Sequence, residues 1–188
     1  SGNVFVETDW VIHLHAAVMV GWMALLLMQT VLVARGRTRT HMALGAYGGP
    51  ALGAAILLVG GLITYSTWEV AVSEGVFTWP EAILVLRAPW LALIEFIALT
   101  GLGLLYRHRP AVHKRCMMLA TAALVMAAVG RMEYLLGPWR TTIGFGLMIA
   151  PLVAYDLYTE ARVHRATLLG SGVVGISVVS SIVRHLSG

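Results

Sequence analysis

Along the chain, apolar positions gather into six long runs separated by short polar links. The runs are apolar on all sides, without the stripe of a water-facing helix or the alternation of a half-buried strand. A helix needs about 20 apolar residues to cross a bilayer, and the runs are close to or above that length. They predict helices over about residues 10–34, 41–66, 82–106, 113–136, 142–158 and 166–183. A membrane β-barrel would instead show alternating segments of about 10 residues, and none is visible. The expected fold class is all-α: a polytopic transmembrane bundle of about six helices, arranged as three hairpins in a single transmembrane domain over residues 1–188. Thr8 or Asp9 is placed to cap the first helix, and Pro151 falls inside the fifth, where its missing N–H favours a kink.

The link over residues 67–80 is the one long connection. It mixes Trp68, Val70, Val72, Val76, Phe77 and Trp79 with acids, and two readings stand: a short interfacial helix or an ordered loop. Helices 2 and 6 are rich in small residues, with Gly45, Gly48, Gly49, Gly53, Gly60 and Gly61 in one and Gly170, Gly172, Gly175 and Ser177 in the other. Gly49-x-x-x-Gly53 in particular predicts close backbone approach. Ser180 and Ser181 are expected to bond back to helical carbonyls.

Composition agrees with lipid as the solvent. The chain is 59% hydrophobic and 12% charged, with a mean hydropathy of +0.81, against about 25% charged residues in a soluble domain. A pI of 9.6 would fit a nucleic-acid partner if the cations formed a face, but they do not. Nine of the 13 basic residues fall in three links: Arg35, Arg37 and Arg39; Arg107, Arg109, Lys114 and Arg115; Arg162 and Arg165. Glu7, Asp9, Glu69, Glu74 and Glu81 lie on the opposite side, with Arg140 and the tryptophans 10, 68, 79 and 139. By the positive-inside rule the basic links face the cytoplasm and both termini face outward. The expected setting is a bacterial inner membrane, crossed several times, with the lipid bilayer as partner and no nucleic acid. The single cysteine, Cys116, excludes an internal disulfide and reads as a packed thiol. The acidic first residues and the length of the first apolar run give no expectation of a cleavable signal peptide.

Arg35-x-Arg37-x-x-x-His41 repeats the spacing of Arg107-x-Arg109-x-x-x-His113, and a third link ends Arg162-x-His164. This is either a shared hairpin plan or the ordinary basic link of membrane proteins.

Ionisable groups at membrane depth are costly and usually functional or paired. Glu95 lies 12 residues before Arg107, or about 18 Å along a helix, near the bilayer middle. His15, Arg87, Arg131 and Glu133 fall toward the outer half. One reading joins His15, Arg87, Glu95, Arg131 and Glu133 in a buried polar cluster that binds a ligand or relays protons. The other makes them interhelical ion pairs and snorkelling arginines. His13 and His15 are two apart and point to different sides of a helix. His41 and His113 each open an outward-going helix at one depth. They are candidate axial ligands for iron in a b-type haem, with the nearby arginines facing its propionates; the alternative is a pair of interfacial histidines. His108, His164 and His185 are expected to be solvated, and Asp156 to pair with an arginine of the basic links. No phosphate loop, nucleophile elbow, zinc-protease helix or paired-acid motif is present, and no catalytic residue is assigned.

The stretches His15-Ala-Ala-Val-Met-Val-Gly-Trp22, His41-Met-Ala-Leu-Gly45 and Arg109-Pro-Ala-Val-His113-Lys-Arg-Cys-Met-Met-Leu-Ala-Thr121, with Arg131, resemble a group of uncharacterised bacterial multi-helix membrane proteins. The resemblance covers helices 1 to 4 and implies a fold family without an activity. More loosely, the chain is similar to six-helix b-type cytochromes, whose haem ligands come from alternate helices at matching depth, as His41 and His113 do. Those cytochromes carry a second histidine pair on the intervening helices; helices 3 and 5 here have none, so the similarity extends to a single haem. Three functional classes follow: a haem b electron carrier with a redox partner, a non-catalytic accessory or assembly subunit of a larger membrane complex, and a small-ligand transporter or receptor.

Overall fold

A computed structural model describes residues 9–75, 78–129 and 139–186. Among these the chain is all-helical, with six helices: α1 Asp9–Ala34, α2 Thr38–Ser73, α3 Trp79–Leu105, α4 Pro110–Val129, α5 Arg140–Glu160 and α6 Arg165–Leu186. Helices α1 to α5 are each long and apolar enough to cross a membrane, and α6 carries a shorter apolar stretch, Arg165–Ser180. A chain confined to hydrocarbon must satisfy its backbone hydrogen bonds within each segment. The apolar runs therefore become helices, and large side chains such as Val20, Leu27, Leu58, Leu105 and Leu169 remain exposed, as lipid contact allows. The protein is a multi-pass membrane protein.

The predicted runs match these helices within a few residues, except that the end of the fourth run, 130–136, lies outside the described residues, and with one larger difference. Helix α2 extends to Ser73 and takes in the first half of the expected 67–80 link, so residues 67–73 continue a spanning helix. At 36 residues it is about 54 Å long, well beyond a hydrocarbon core of about 30 Å. Helix α5 runs unbroken through Pro151.

The described helices form two compact units, residues 1–74 and 75–188. The first is the α1–α2 hairpin. Its turn is closed by Gly36 at φ 69°, with the Gly36 N–H bonded to Val33 O and the Arg37 N–H to Leu32 O. This is a Schellman cap, whose left-handed position favours glycine. The arms approach at small residues: a Cβ on Gly21 would meet Leu52 at 3.4 Å, and one on Gly48 would meet Leu25 at 3.4 Å. Gly49 and Gly53 do not mark the close approach expected of them, since a Cβ on either would meet nothing within 4 Å.

The second unit packs α3 to α6. Helices α4 and α6 each touch the other three and form its centre, with α3 and α5 on the flanks. Phe96, Leu99, Leu119, Ala120, Ala123, Leu152 and Val174 are buried. Glycines admit the close contacts: a Cβ on Gly170 would collide with Leu119 Cδ1, one on Gly144 would lie 2.6 Å from Val129 Cγ1, and one on Gly103 would lie 2.9 Å from Met117 Sδ. Cys116 is buried beside this seam, as expected of a packed thiol.

Candidate functional site

Two polar constellations lie inside the four-helix unit. The first is on the α3–α6 contact. Glu95 falls on the α3 face shared with Ala92, Phe96 and Leu99, and is 3% exposed. Its Oε1 accepts the Ser177 N–H at 3.0 Å, and its Oε2 lies 3.1 Å from Ser177 Oγ. Ser177 Oγ is also 3.0 Å from Val174 O. A hydroxyl has one hydrogen to donate, so the triad has two self-consistent arrangements. With an ionised Glu95, Ser177 donates to the carboxylate. With a protonated Glu95, the carboxyl donates to Ser177 Oγ and the serine hydrogen turns to Val174 O. Among the described residues Ser177 is the only partner of Glu95, and no lysine or arginine stands within ion-pair reach of it.

Arg87, on the same helix, donates through Nη2 to Ser180 O at 2.6 Å, so it grips the α6 backbone one turn from Ser177 and leaves Glu95 alone. Among the described residues the buried hydroxyls of Thr100, Ser171 and Ser180 bond to no protein group; the expected back-bond of Ser180 is not made there, while Ser177 is placed to make one to Val174 O. Buried hydroxyls of this kind are usual sites for ordered water.

The second constellation sits where α3 and α5 end and α4 and α6 begin. Arg115 and Asp156 are both fully buried. Arg115 Nε and Nη2 donate to Asp156 Oδ1 at 2.8 and 2.5 Å, Nη2 also reaches Glu160 Oε1 at 2.6 Å, and Nη1 donates to Ala111 O at 2.6 Å. Asp156 Oδ2 accepts the His164 N–H at 3.0 Å and the Thr167 hydroxyl at 2.5 Å. Every polar edge of the pair is thus bonded, which is the condition for tolerating a buried ion pair. The network ties α4, α5, α6 and the link between the last two. Asp156 does pair with an arginine counted among the basic links. Arg115 itself is a helix residue turned inward, on the buried face with Leu119, Ala122 and Met126. That spacing of three and four residues was the sequence signal for it. His164 is not solvated as expected: it is half-buried, its backbone feeds Asp156, and its Nδ1 accepts the Ala166 N–H at 3.0 Å.

His113 is half-buried near the start of α4, with Nδ1 2.8 Å from Gly103 O. A carbonyl only accepts, so the ring proton sits on Nδ1 and the neutral ring keeps its lone pair on Nε2. His41 lies in the hairpin unit, against Gln29. With the Gln29 amide oriented to satisfy both its ends, its nitrogen donates to His41 Nδ1 at 2.5 Å and to His41 O at 3.1 Å, and its oxygen accepts the Gly45 N–H at 2.9 Å. The neutral His41 ring then carries its proton on Nε2. His15 is half-buried on α1, in the hairpin unit. Arg131 and Glu133 lie outside the described residues.

Of the expected polar cluster, the four-helix unit thus holds Arg87 and Glu95, each bonded to α6 and not to the other. Sequence reasoning missed Ser177 as the partner of Glu95, and Gln29 as that of His41. The fold and sites define a multi-pass α-helical membrane protein with a buried carboxyl inside one of its helical units. Compared with protein-family models, curated proteins and solved structures, the chain matches none.

Proposed function

We propose that the protein is a small-ligand transporter of the bacterial inner membrane in which Glu95 is the proton-binding group, with the basic links on the cytoplasmic side. The observation that carries this reading is the Glu95–Ser177–Val174 triad: a carboxyl 3% exposed in a spanning helix whose only described partner is a serine. An intramembrane acid of this kind marks a proton or ion pathway by default. The serine rotor gives it a bonded arrangement in both protonation states, so a proton arriving or leaving costs no orphaned group. The buried hydroxyls of Thr100, Ser171 and Ser180, unpartnered among the described residues, supply further polar stations in the same unit.

The test is proton movement into vesicles reconstituted with the purified protein, followed with an enclosed pH-sensitive dye under an imposed potential. Wild type is expected to take up protons above the level of empty vesicles, and Glu95→Gln to abolish most of that uptake while remaining folded. Uptake equal to empty vesicles, or equal in the variant, overturns the reading.

A second reading is a single-haem b-type electron carrier. It is favoured by the His113 Nδ1 bond to Gly103 O, because a backbone acceptor on one ring nitrogen is how ligating histidines are oriented. His113 fits a haem iron in its neutral form. The companion ligand of the sequence reading, His41, belongs to the hairpin unit, where its Nδ1 faces Gln29. A bound haem would supply one-electron chemistry, with redox partners to match. A Soret band in the purified protein, lost in His113→Ala, supports this reading; a colourless protein expressed with haem in excess rejects it.

A further inference from the structure

The basic end of the four-helix unit carries Arg107, Arg109, Lys114, Arg162 and Arg165, all exposed. The two acids at that end, Asp156 and Glu160, are engaged by buried Arg115. Among the described residues none of the five exposed cations is ion-paired, so this end presents an unneutralised positive surface where helices leave the membrane. Anionic lipid headgroups are attracted to such a surface.

One place on it is more than diffuse charge. Lys114, the only lysine in the chain, reaches from α4 across to α5, where Nζ donates to the Tyr155 hydroxyl at 2.7 Å and lies 4.5 Å from the centre of its ring. Accepting that bond leaves the tyrosine hydrogen to donate elsewhere, and the ammonium keeps two further donors. Two donor groups therefore converge within one hydrogen-bond length, a geometry suited to two oxygens of one phosphate. Along the two helices from this pair, the neighbouring side chains are apolar and exposed. Met118 stands one turn from Lys114 on α4, while Pro151 and Met148 stand one and two turns from Tyr155 on α5; all three are exposed.

We infer that the Lys114–Tyr155 pair binds the phosphate of an anionic phospholipid, with an acyl chain lying against the exposed Met118, Pro151 and Met148. The occupant is a lipid and not a free anion because the pair stands at the basic end of two helices long and apolar enough to span a membrane, with exposed apolar side chains beside it on both. The assignment is independent of Glu95.

Native mass spectrometry of the purified full chain in detergent, supplied with equal phosphatidylglycerol and phosphatidylcholine, tests it. Wild type is expected to retain phosphatidylglycerol several-fold over phosphatidylcholine. Lys114→Gln is expected to remove most of that preference and Tyr155→Phe to weaken it. Arg109→Gln, which removes the same charge from the same end, is expected to leave most of it. Circular dichroism melts check that each variant is folded; should Lys114→Gln not fold, Tyr155→Phe decides by the same criterion. Equal retention of the two lipids by wild type overturns the assignment, as does an Arg109→Gln loss matching that of Lys114→Gln. Displacement of the lipid by inorganic phosphate, with phosphate alone raising the melting temperature, overturns it in favour of a free-anion site.

Discussion

Arg115 and Asp156 meet at 2.5 Å with neither side chain reaching solvent, although they are 41 residues apart in the chain. The contact joins the second turn of α4 to the end of α5, and through Thr167 and the His164 backbone it also holds the start of α6. Removing one member leaves the other as a buried charge with its donors or acceptors unmet. Arg115→Ala or Asp156→Ala is therefore expected to cost about 3–5 kcal/mol. Glu160 is 30% exposed in side-chain area, where water compensates, and Glu160→Gln is expected to cost about 1 kcal/mol or less. Chemical denaturation in mixed micelles, following helix content, measures the difference. Equal losses for Asp156→Ala and Glu160→Gln would refute the distinction.

The close contact of α6 with α4 depends on Gly170. A Cβ there would collide with Leu119 Cδ1, and Leu119 is itself buried. Gly170→Ala is expected to lose about 1–3 kcal/mol, the usual range for overpacking. Gly172, two residues on, faces open space, and Gly172→Ala is expected to leave the thermal midpoint unchanged or slightly raised, since alanine is the better helix former. A larger drop for Gly172→Ala than for Gly170→Ala would show that the α4–α6 seam is placed wrongly.

Glutamine has the shape of a protonated glutamate. In Glu95→Gln the amide oxygen can accept the Ser177 N–H and the amide nitrogen can donate to Ser177 Oγ, whose hydrogen then goes to Val174 O. The melting temperature of Glu95→Gln in detergent should thus stay close to wild type. Glu95→Ala, which opens a cavity on the α3–α6 contact, should lower it by several degrees. A Glu95→Gln midpoint as low as that of Glu95→Ala would mean that the ionised form is the one the fold requires.

Orientation in the membrane can be read with a single cysteine moved along the chain. Cys116 is buried and should resist a membrane-impermeant maleimide in intact vesicles. In a Cys116→Ser background, Arg37→Cys and Arg109→Cys should both label from the cytoplasmic side alone. Labelling of the two from opposite sides would end the hairpin plan and the orientation drawn from the basic links.

Much of the architecture was legible from the order of residues. The six helices and the ion-pairing of Asp156 with a basic-link arginine followed from run lengths and from the cost of charge in hydrocarbon. The glycine pattern was legible only in part. It marked α2 and α6 as tightly packed helices, but Gly21, Gly45 and Gly48 line the hairpin contact while Gly49 and Gly53 do not. A glycine permits close approach without saying which neighbour arrives. The inward turn of Arg115 ran against its membership of a run of exposed cations, and only its spacing from Leu119 and Met126 gave it away.

What the sequence by itself determined is the solvent and the secondary structure, because a backbone in lipid has few ways to bond itself and long apolar runs take the helical one. Which face of each helix meets which other was decided only in the tertiary structure, where the rotation of one helix against the next is set by side-chain packing between segments far apart in the chain. Glu95 at membrane depth could be read from a count of residues. That its partner is Ser177, whose single hydrogen must choose between two acceptors, could not.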